Sequence, residues 1–258
     1  MKIDIIIPLI NQGEKYGEVI ERLKNSIKDI EEVSIQYVCG TKEDKERFSE
    51  LFKGNLGTNI LSTGKDNENI QSLINYAASK SKASYIIFLK EEDNLYPTWI
   101  QNVIKHINYY TEFDSFLGLC KEVDKDGKFI SYYNELVLSG SFLDENRVGE
   151  ITLDMVNTYG LFLINGGVFN RKKFLANGGL KPSMKRWWET EFLMRTLNNG
   201  SRIYMIPKLS SAIISGPEIP VEDSEEWLHI AQREYFFNTD RNIQPQDKNS
   251  DSKKDVVE

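Results

Sequence analysis

Short apolar runs alternate with longer stretches in which apolar residues recur every three or four positions. That pattern predicts the elements of the first hundred residues in order. Residues 3–7 form a buried strand that stops at Pro8, because proline cannot donate to a ladder. Residues 14–30 carry Val19, Ile20, Leu23, Ile27 and Ile30 at helical spacing with charges between them. A second strand over 33–39 stops at Gly40, a charged helix follows over 42–52, and 59–61 is a short third strand. A helix over 66–81 leads to a fourth strand over 85–89, which is β-branched, aromatic and too short for a helix. Strand and helix alternating at this spacing specify a parallel, doubly wound sheet.

The pattern then changes. A helix over 97–110 takes Pro97 in its first turn. Strands over 115–121 and 129–133 flank Asp124-Lys125-Asp126-Gly127, a hairpin turn. Residues 136–154 show no clear period and are expected to be a loop or lid. A strand over 161–169 contains Gly166-Gly167, and a short helix over 171–176 ends at Asn177-Gly178-Gly179. A helix over 187–198 is closed by Gly200, and a strand over 202–206 ends at Pro207. Residues 222–238 have an amphipathic helical pattern with Trp227, Ile230, Ala231 and Phe237 on one side. From Asp240 onward the chain is polar and mixed in charge, so a disordered tail is expected.

Three consecutive acids, Glu91, Glu92 and Asp93, follow the fourth strand, and Asn94 is expected to turn the chain. The carboxyl edge of an open α/β sheet is where ligands bind. Hard oxygens clustered there suit a Mg²⁺ or Mn²⁺ ion bridging phosphates; a capped turn before the Pro97 helix is the alternative. The 258 residues are 40% hydrophobic and 28% charged, ordinary for a globular chain with ample core. A formal charge of −7 argues against nucleic acid or an anionic membrane as partner, but leaves room for a small phosphorylated ligand. Cys39 and Cys120 fall inside apolar runs and are expected to be reduced core residues, which suits the cytoplasm. No Cys/His cluster offers a zinc site. The apolar run 3–10 is interrupted by Asp4 and Pro8 and is too short to span a bilayer.

Three stretches in this order resemble the family 2 glycosyltransferases, whose fold is GT-A, a Rossmann-like mixed α/β sheet. Residues 3–11, Ile-Asp-Ile-Ile-Ile-Pro-Leu-Ile-Asn, look like the family's first strand and its Pro-x-x-Asn turn. Asn67, Asn69, Leu73, Ile74 and Asn75, followed by 83–89, look like the helix that enters the metal strand. Gly166-Gly167 through Arg171, Phe174 and Gly178-Gly179-Leu180, then Glu189-x-Glu191 through Arg195, is similar to the acceptor-side loop and acidic helix. The resemblance covers about residues 3–207.

It implies a GT-A domain over 1–215, with a nucleotide-sugar-binding half to 112 and an acceptor half after it. A helical extension over 216–239 and a tail over 240–258 would follow. It implies a nucleotide-sugar donor, UDP-sugar favoured, and a hydroxyl acceptor on a glycan, lipid-linked molecule or protein, as in polysaccharide or glycoconjugate biosynthesis. The family's Asp-x-Asp element falls on Lys90-Glu91-Glu92-Asp93. Asp93 would ligate Mn²⁺ or Mg²⁺, and Glu92 would help it or hold the ribose. Pro8, Leu9, Asn11, Gly40 and Lys90 would line the donor. Glu189 would be the general base of an inverting transfer, unless it only complements the dipole of its helix. Asn67 and Asn75 are expected to be structural. Of Trp187-Trp188, one is expected to border the cleft. Peripheral membrane contact through 227–237 would suit a lipid-linked acceptor, although Glu222–Glu226 is acidic.

The sequence departs from the family pattern at several points. The second strand ends Cys39-Gly40-Thr41 with no acid, Ile74 replaces an arginine, and Lys90 stands where the first Asp of the metal element belongs. These departures leave open a catalytically inactive pseudo-glycosyltransferase that serves an active partner. A nucleotidyltransferase is disfavoured, because no Gly-rich phosphate loop bearing Arg or Lys follows the first strand.

Overall fold

The computed structural model describes residues 1–10, 16–27, 30–53, 59–66, 68–90, 93–159 and 162–214, without the side chains of 16–20 and 22. Expectations that fall on Asn11, Asn67, Glu91, Glu92, the 222–238 helix and the tail from Asp240 lie outside the described residues.

The first half follows the alternation in the sequence. Strands β1 (Ile3–Pro8), β2 (Val33–Cys39), β3 (Asn59–Ser62) and β4 (Tyr85–Phe88) are joined through helices α1 (Tyr16–Ile27), α2 (Lys42–Leu51) and α3 (Ile70–Lys80). Their mutual pairings, β1 with β2 and β4, and β2 with β3, are parallel. Helix α3 begins later than its pattern suggested, because Asn69 caps it through the Ser72 N–H (2.9 Å).

After β4 come β5 (Asn94–Leu95), α4 (Pro97–Tyr109), β6 (Ser115–Val123), β7 (Phe129–Tyr133), α5 (Glu135–Leu143), β8 (Glu150–Ile151), α6 (Leu153–Tyr159), β9 (Val168–Asn170), α7 (Arg171–Ala176), α8 (Trp188–Asn198) and β10 (Ile203–Ile214). One mixed sheet runs β3-β2-β1-β4-β9-β6-β10-β5, with β7 beside β6 and β8 beside β10. The chain leaves β1 toward β2 and β3, then returns to the other side of β1 with β4. Strand β1 is therefore the topological switch point, and its carboxyl edge is the crevice of the sheet.

The side chains of β1 divide between two cores. Ile6 joins Phe88, Phe169, Phe174 and Phe192 under α3, α7 and α8, whereas Ile5 and Ile7 join Phe48, Ile87 and Trp99 under α2 and α4. A strand covered on both faces must be apolar throughout, which is why β1 shows no alternation. Phe88 stacks on Phe169 with centroids 5.1 Å apart, and Phe174 meets Phe192 at 5.3 Å; each such buried ring contributes about 1.5–3 kcal/mol. Asp4, the polar break in β1, is buried and accepts from Ser34 Oγ, Gln36 Nε2 and Ser81 Oγ, each at 2.5 Å. Cys39 and Cys120 are buried free thiols, as expected.

Four expectations are corrected. Residues 136–154 are not a loop but α5, β8 and the start of α6. Helix α5 has no sharp amphipathic period, since Leu136 and Leu143 are exposed while Val137 and Ser141 are buried. The strand expected over 161–169 is confined, among the described residues, to β9, because Gly166 (φ 72°) bends the chain ahead of it. The strand expected to end at Pro207 continues to Ile214. Its register with β6 shifts between Met205 and Leu209, and such a bulge tolerates a proline. Asn94 does not turn the chain but pairs with Ala212 in β10.

Candidate active site

The turn after β4 is closed by its own backbone and by Asp93. The Asp93 N–H donates to the Lys90 carbonyl (3.1 Å), and the Lys90 N–H donates to Asp93 Oδ2 (3.0 Å). This leaves the Lys90 residue exposed and Asp93 buried at 6% exposure. Strand β5 then holds the far side of the turn against β10, and Pro97 opens α4 at its N-terminus.

A loop from 72 residues downstream reaches the same carboxylate. Asn165, itself buried, donates from Nδ2 to Asp93 Oδ2 at 2.6 Å. The Gly166 N–H donates to the Phe88 carbonyl (3.2 Å), and Trp99 Nε1 donates to the Gly166 carbonyl (2.7 Å). A Cβ on Gly167 would meet the Ile164 carbonyl oxygen at 2.9 Å, a close backbone approach that favours glycine. Sequence reasoning singled out Gly166-Gly167 but missed Asn165. The available signal was a lone amide ending an apolar run directly before the glycine pair.

Helix α8 contributes Glu189 and Glu191. Trp187 precedes the helix in the left-handed region (φ 56°), an uncommon conformation for a bulky residue. Trp188 is buried in the core, and Trp187 is half-buried against the same core. Glu191 is fully buried and ion-paired. Arg195 donates to it from Nε (2.8 Å) and Nη2 (2.9 Å), and Lys181 Nζ lies 3.0 Å from Oε1. Arg195 also donates from Nη2 to the Gly179 carbonyl (2.7 Å) and from Nη1 to the Asn177 carbonyl. Asn75 locks the same turn by accepting from the Leu180 N–H (2.8 Å) and donating to the Leu180 carbonyl (2.7 Å), a structural role as expected.

Glu189 is different. It is 8% exposed, and its Oε1 meets no hydrogen-bond partner. Burial pushes its carboxyl up to about 7 from an ordinary 4.5; Lys90 opposes the rise and Asp93 adds to it. Lys90, Asp93 and Glu189 therefore lie within one another's field, although about a hundred residues separate the helix from the turn. The same three groups act on Cys120 in β6, whose thiol burial raises to about 12 and whose Sγ lies 3.3 Å from Ser211 Oγ. The structure thus gathers Lys90, Asp93, Asn165 and Glu189 at one end of the sheet, near Cys120.

The other described candidates, Pro8, Leu9 and Gly40, lie along the same edge. Pro8 and Leu9 are buried where β1 ends, and the Leu9 N–H donates to the Val38 carbonyl (2.8 Å). At the end of β2, a Cβ on Gly40 would meet the Lys65 carbonyl oxygen at 2.7 Å. The Gly40 carbonyl accepts from Ser62 Oγ, Thr63 Oγ1 and the Gly64 N–H. That close backbone approach accounts for the glycine. A surface cavity of about 670 Å³ lies between α2 and the end of β3, lined by Lys42, Lys45, Lys53 and Thr63 among others. None of Lys90, Asp93 or Glu189 lines it, so volume alone does not locate the site.

Among the described residues no group of three or more His, Cys, Asp or Glu side chains could hold a metal ion. Mg²⁺ and Mn²⁺ need only one or two carboxylates when substrate phosphates supply the remaining oxygens. Asp93 fits that limited donor set. No helix among the described residues is long and apolar enough to cross a membrane.

This sheet order and crevice define a GT-A-like α/β fold, and comparison with known proteins agrees. The chain superposes on S. aureus TarS 1–349 with a TM-score of 0.65 and 16% identity, covering 91% of this chain and 64% of that one. The complex of TarS 1–349 with UDP-GlcNAc gives the same score and identity, with 91% and 65% covered. The mannosyltransferase PcManGT from Pyrobaculum calidifontis, solved with GDP-Man and Mn²⁺, gives 0.61 at 13% identity over 94% of this chain and 65% of that one. In sequence, an uncharacterized glycosyltransferase of Rickettsia bellii (strain RML369-C) is 28% identical over 130 residues, 50% of this chain and 18% of that protein. The chain thus spans under a fifth of that relative and under two thirds of TarS 1–349. No family model matches it. The chain is glycosyltransferase-like in fold and, over half its length, in sequence.

Proposed function

We propose that the chain is an inverting glycosyltransferase that moves a sugar from a nucleotide-sugar donor, UDP-sugar favoured, to a hydroxyl acceptor. The observation that carries this reading is Glu189: a buried carboxylate whose Oε1 has no partner, poised near neutral pH, in the field of Lys90 and Asp93. A general base works best with a pKa near the working pH. Ordinary structural acids in this chain, such as Asp4 and Glu191, are saturated with donors instead.

In this reading Glu189 takes the proton of the acceptor hydroxyl as its oxygen bonds to the anomeric carbon. The bond from that carbon to the diphosphate oxygen breaks on the opposite face, which inverts the configuration. Lys90 lies beside the diphosphate, where its ammonium offsets charge on the departing nucleotide. Asp93, with Glu92, would hold Mn²⁺ or Mg²⁺, which when bound supplies further neutralisation of that charge. Pro8, Leu9, Asn11 and Gly40 would line the nucleotide at the edge of β1 and β2. Residues 1–112 would form the donor half and 113–215 the acceptor half. TarS and PcManGT, solved with UDP-GlcNAc and with GDP-Man and Mn²⁺, support a nucleotide-sugar donor.

The test is a thermal-shift screen of UDP, GDP and their common sugars, with and without Mn²⁺. A ligand at a hundred times its dissociation constant stabilises the fold by about 2.7 kcal/mol. Stabilisation by one nucleotide, followed by transfer or hydrolysis of its sugar, is the expected result. If no sugar nucleotide binds or turns over, the catalytic reading is wrong and a non-catalytic partner role replaces it.

A further inference from the structure

We infer that Asn165 is a positioning residue for the donor site, acting through Asp93; this rests on the glycosyltransferase reading above. The turn that carries Asp93 does not need Asn165 to close. It is already closed by the Asp93 N–H on the Lys90 carbonyl and by the Lys90 N–H on Asp93 Oδ2. Asn165 adds a second donor to that same oxygen, at 2.6 Å. Two N–H groups converging on Oδ2 fix the plane of the carboxylate, and with it the direction of Oδ1. Removing Asn165 takes away one of the two donors that meet at this oxygen and loosens the orientation they set together.

The backbone that carries the amide is itself held in place. The Asn165 main-chain carbonyl accepts from Ser211 Oγ (3.0 Å) in β10, and the next residue is pinned at both backbone groups by Phe88 and Trp99. The amide's orientation is also dictated chemically, since the opposite amide flip would set a carbonyl oxygen against a carboxylate. Strand β10, the 162–167 loop and the end of β4 therefore converge on one carboxylate. Groups that orient a ligand or substrate contact in this way typically change affinity or activity by about 10–100-fold when removed.

The experiment combines binding and melting. UDP, with and without Mn²⁺, is titrated calorimetrically well below every variant's melting midpoint into wild type, Asn165→Ala, Asn165→Asp, Asp93→Asn and the Asp93→Asn/Asn165→Ala double variant. Asn165→Ala is expected to weaken binding of UDP with Mn²⁺ roughly tenfold. Asn165→Asp should weaken it at least as much, because an isosteric acceptor then faces the carboxylate. In the Asp93→Asn background, Asn165→Ala should add less than about a twofold change, and the melting shifts of the two single variants should not add. A merely structural asparagine would lower the melting midpoint and leave the affinity untouched, and that result overturns the assignment. So do fully additive melting shifts or multiplying affinity losses in the double variant. A wild type that binds UDP neither with nor without Mn²⁺, and no other nucleotide in the earlier screen, defeats the glycosyltransferase reading itself. That outcome is distinguishable from an Asn165 failure, which leaves wild-type binding intact.

Discussion

The two flanks of α8, one unsaturated and one anchored, treat the same side chain in opposite ways. Glu189 and Glu191 are both buried acids in the first turns of one helix. Two positions on a helix differ by about 200°, so the two carboxylates leave it in nearly opposite directions. Glu191 meets Arg195 and Lys181, and Arg195 in turn ties down the carbonyls of Asn177 and Gly179. Glu189 has an Oε1 without a donor and holds its proton up to about pH 7. A buried charge that serves the fold is saturated, whereas one left unsatisfied costs stability and needs another reason to persist.

The largest effect should come from breaking the anchored side. Glu191→Gln leaves the Arg195 guanidinium buried against a neutral amide, and losing one partner of a buried pair costs about 3–5 kcal/mol. Urea unfolding should show a lower midpoint with an unchanged slope. A cost below about 1 kcal/mol would mean that the ion pair does not anchor the helix. Next comes the unsaturated side. Glu189→Gln should reduce transfer by about 10²–10⁴-fold while nucleotide binding survives. Transfer at the wild-type rate would remove Glu189 as the base.

How well each side could be foreseen follows from how far its partners lie along the chain. Strands β1 to β4 were legible because each is a short apolar run with a nearby stop signal. The hairpin at Asp124–Gly127 was legible because its turn chemistry is local. Glu189 was reached only through family resemblance, since nothing local distinguishes it from Glu191. What separates them is Lys90, Asp93 and the lack of a donor, all set by tertiary structure. Asn165 escaped notice for the same reason: its partner is 72 residues away. Helix α5 was missed because Gly140 and two serines blur its period. In the fold Gly140 serves a close approach, as a Cβ there would meet the Tyr159 hydroxyl at 3.1 Å. Strand β10 outran its expected end because a bulge accommodates Pro207, and register shifts leave no mark in a single sequence.

Acidity should sharpen the contrast by a smaller amount. The Glu189 carboxyl is raised in the folded chain, so the folded state holds that proton more tightly than the unfolded one. Its contribution to stability is fully present below about 4.5 and is lost as pH rises through about 7. The loss should be about 3–4 kcal/mol at most, because each tenfold change in proton affinity is worth about 1.4 kcal/mol. Chemical unfolding of wild type and Glu189→Gln at pH 5 and pH 8 reads it directly: the variant should gain on wild type at the higher pH. Transfer should run the other way, rising with pH through about 7 as the base loses its proton. If Glu189→Gln follows wild type across the whole range, the carboxyl does not titrate where burial should set it.

The smallest effect should be at the rim of the anchored side. Lys181 reaches Glu191 Oε1 at 3.0 Å but remains 24% exposed, so water screens the attraction. Arg195 already holds both oxygens of Glu191 with two parallel bonds, the geometry in which arginine is strongest. Lys181→Ala should therefore cost only about 1 kcal/mol, and less at high salt. Urea unfolding at low and high salt gives the number. A loss as large as that of Glu191→Gln would mean that the lysine, and not the arginine fork, neutralises Glu191. The anchored flank would then depend on a rim charge, and the division between the two sides of α8 would rest on exposure to water instead of on donor count.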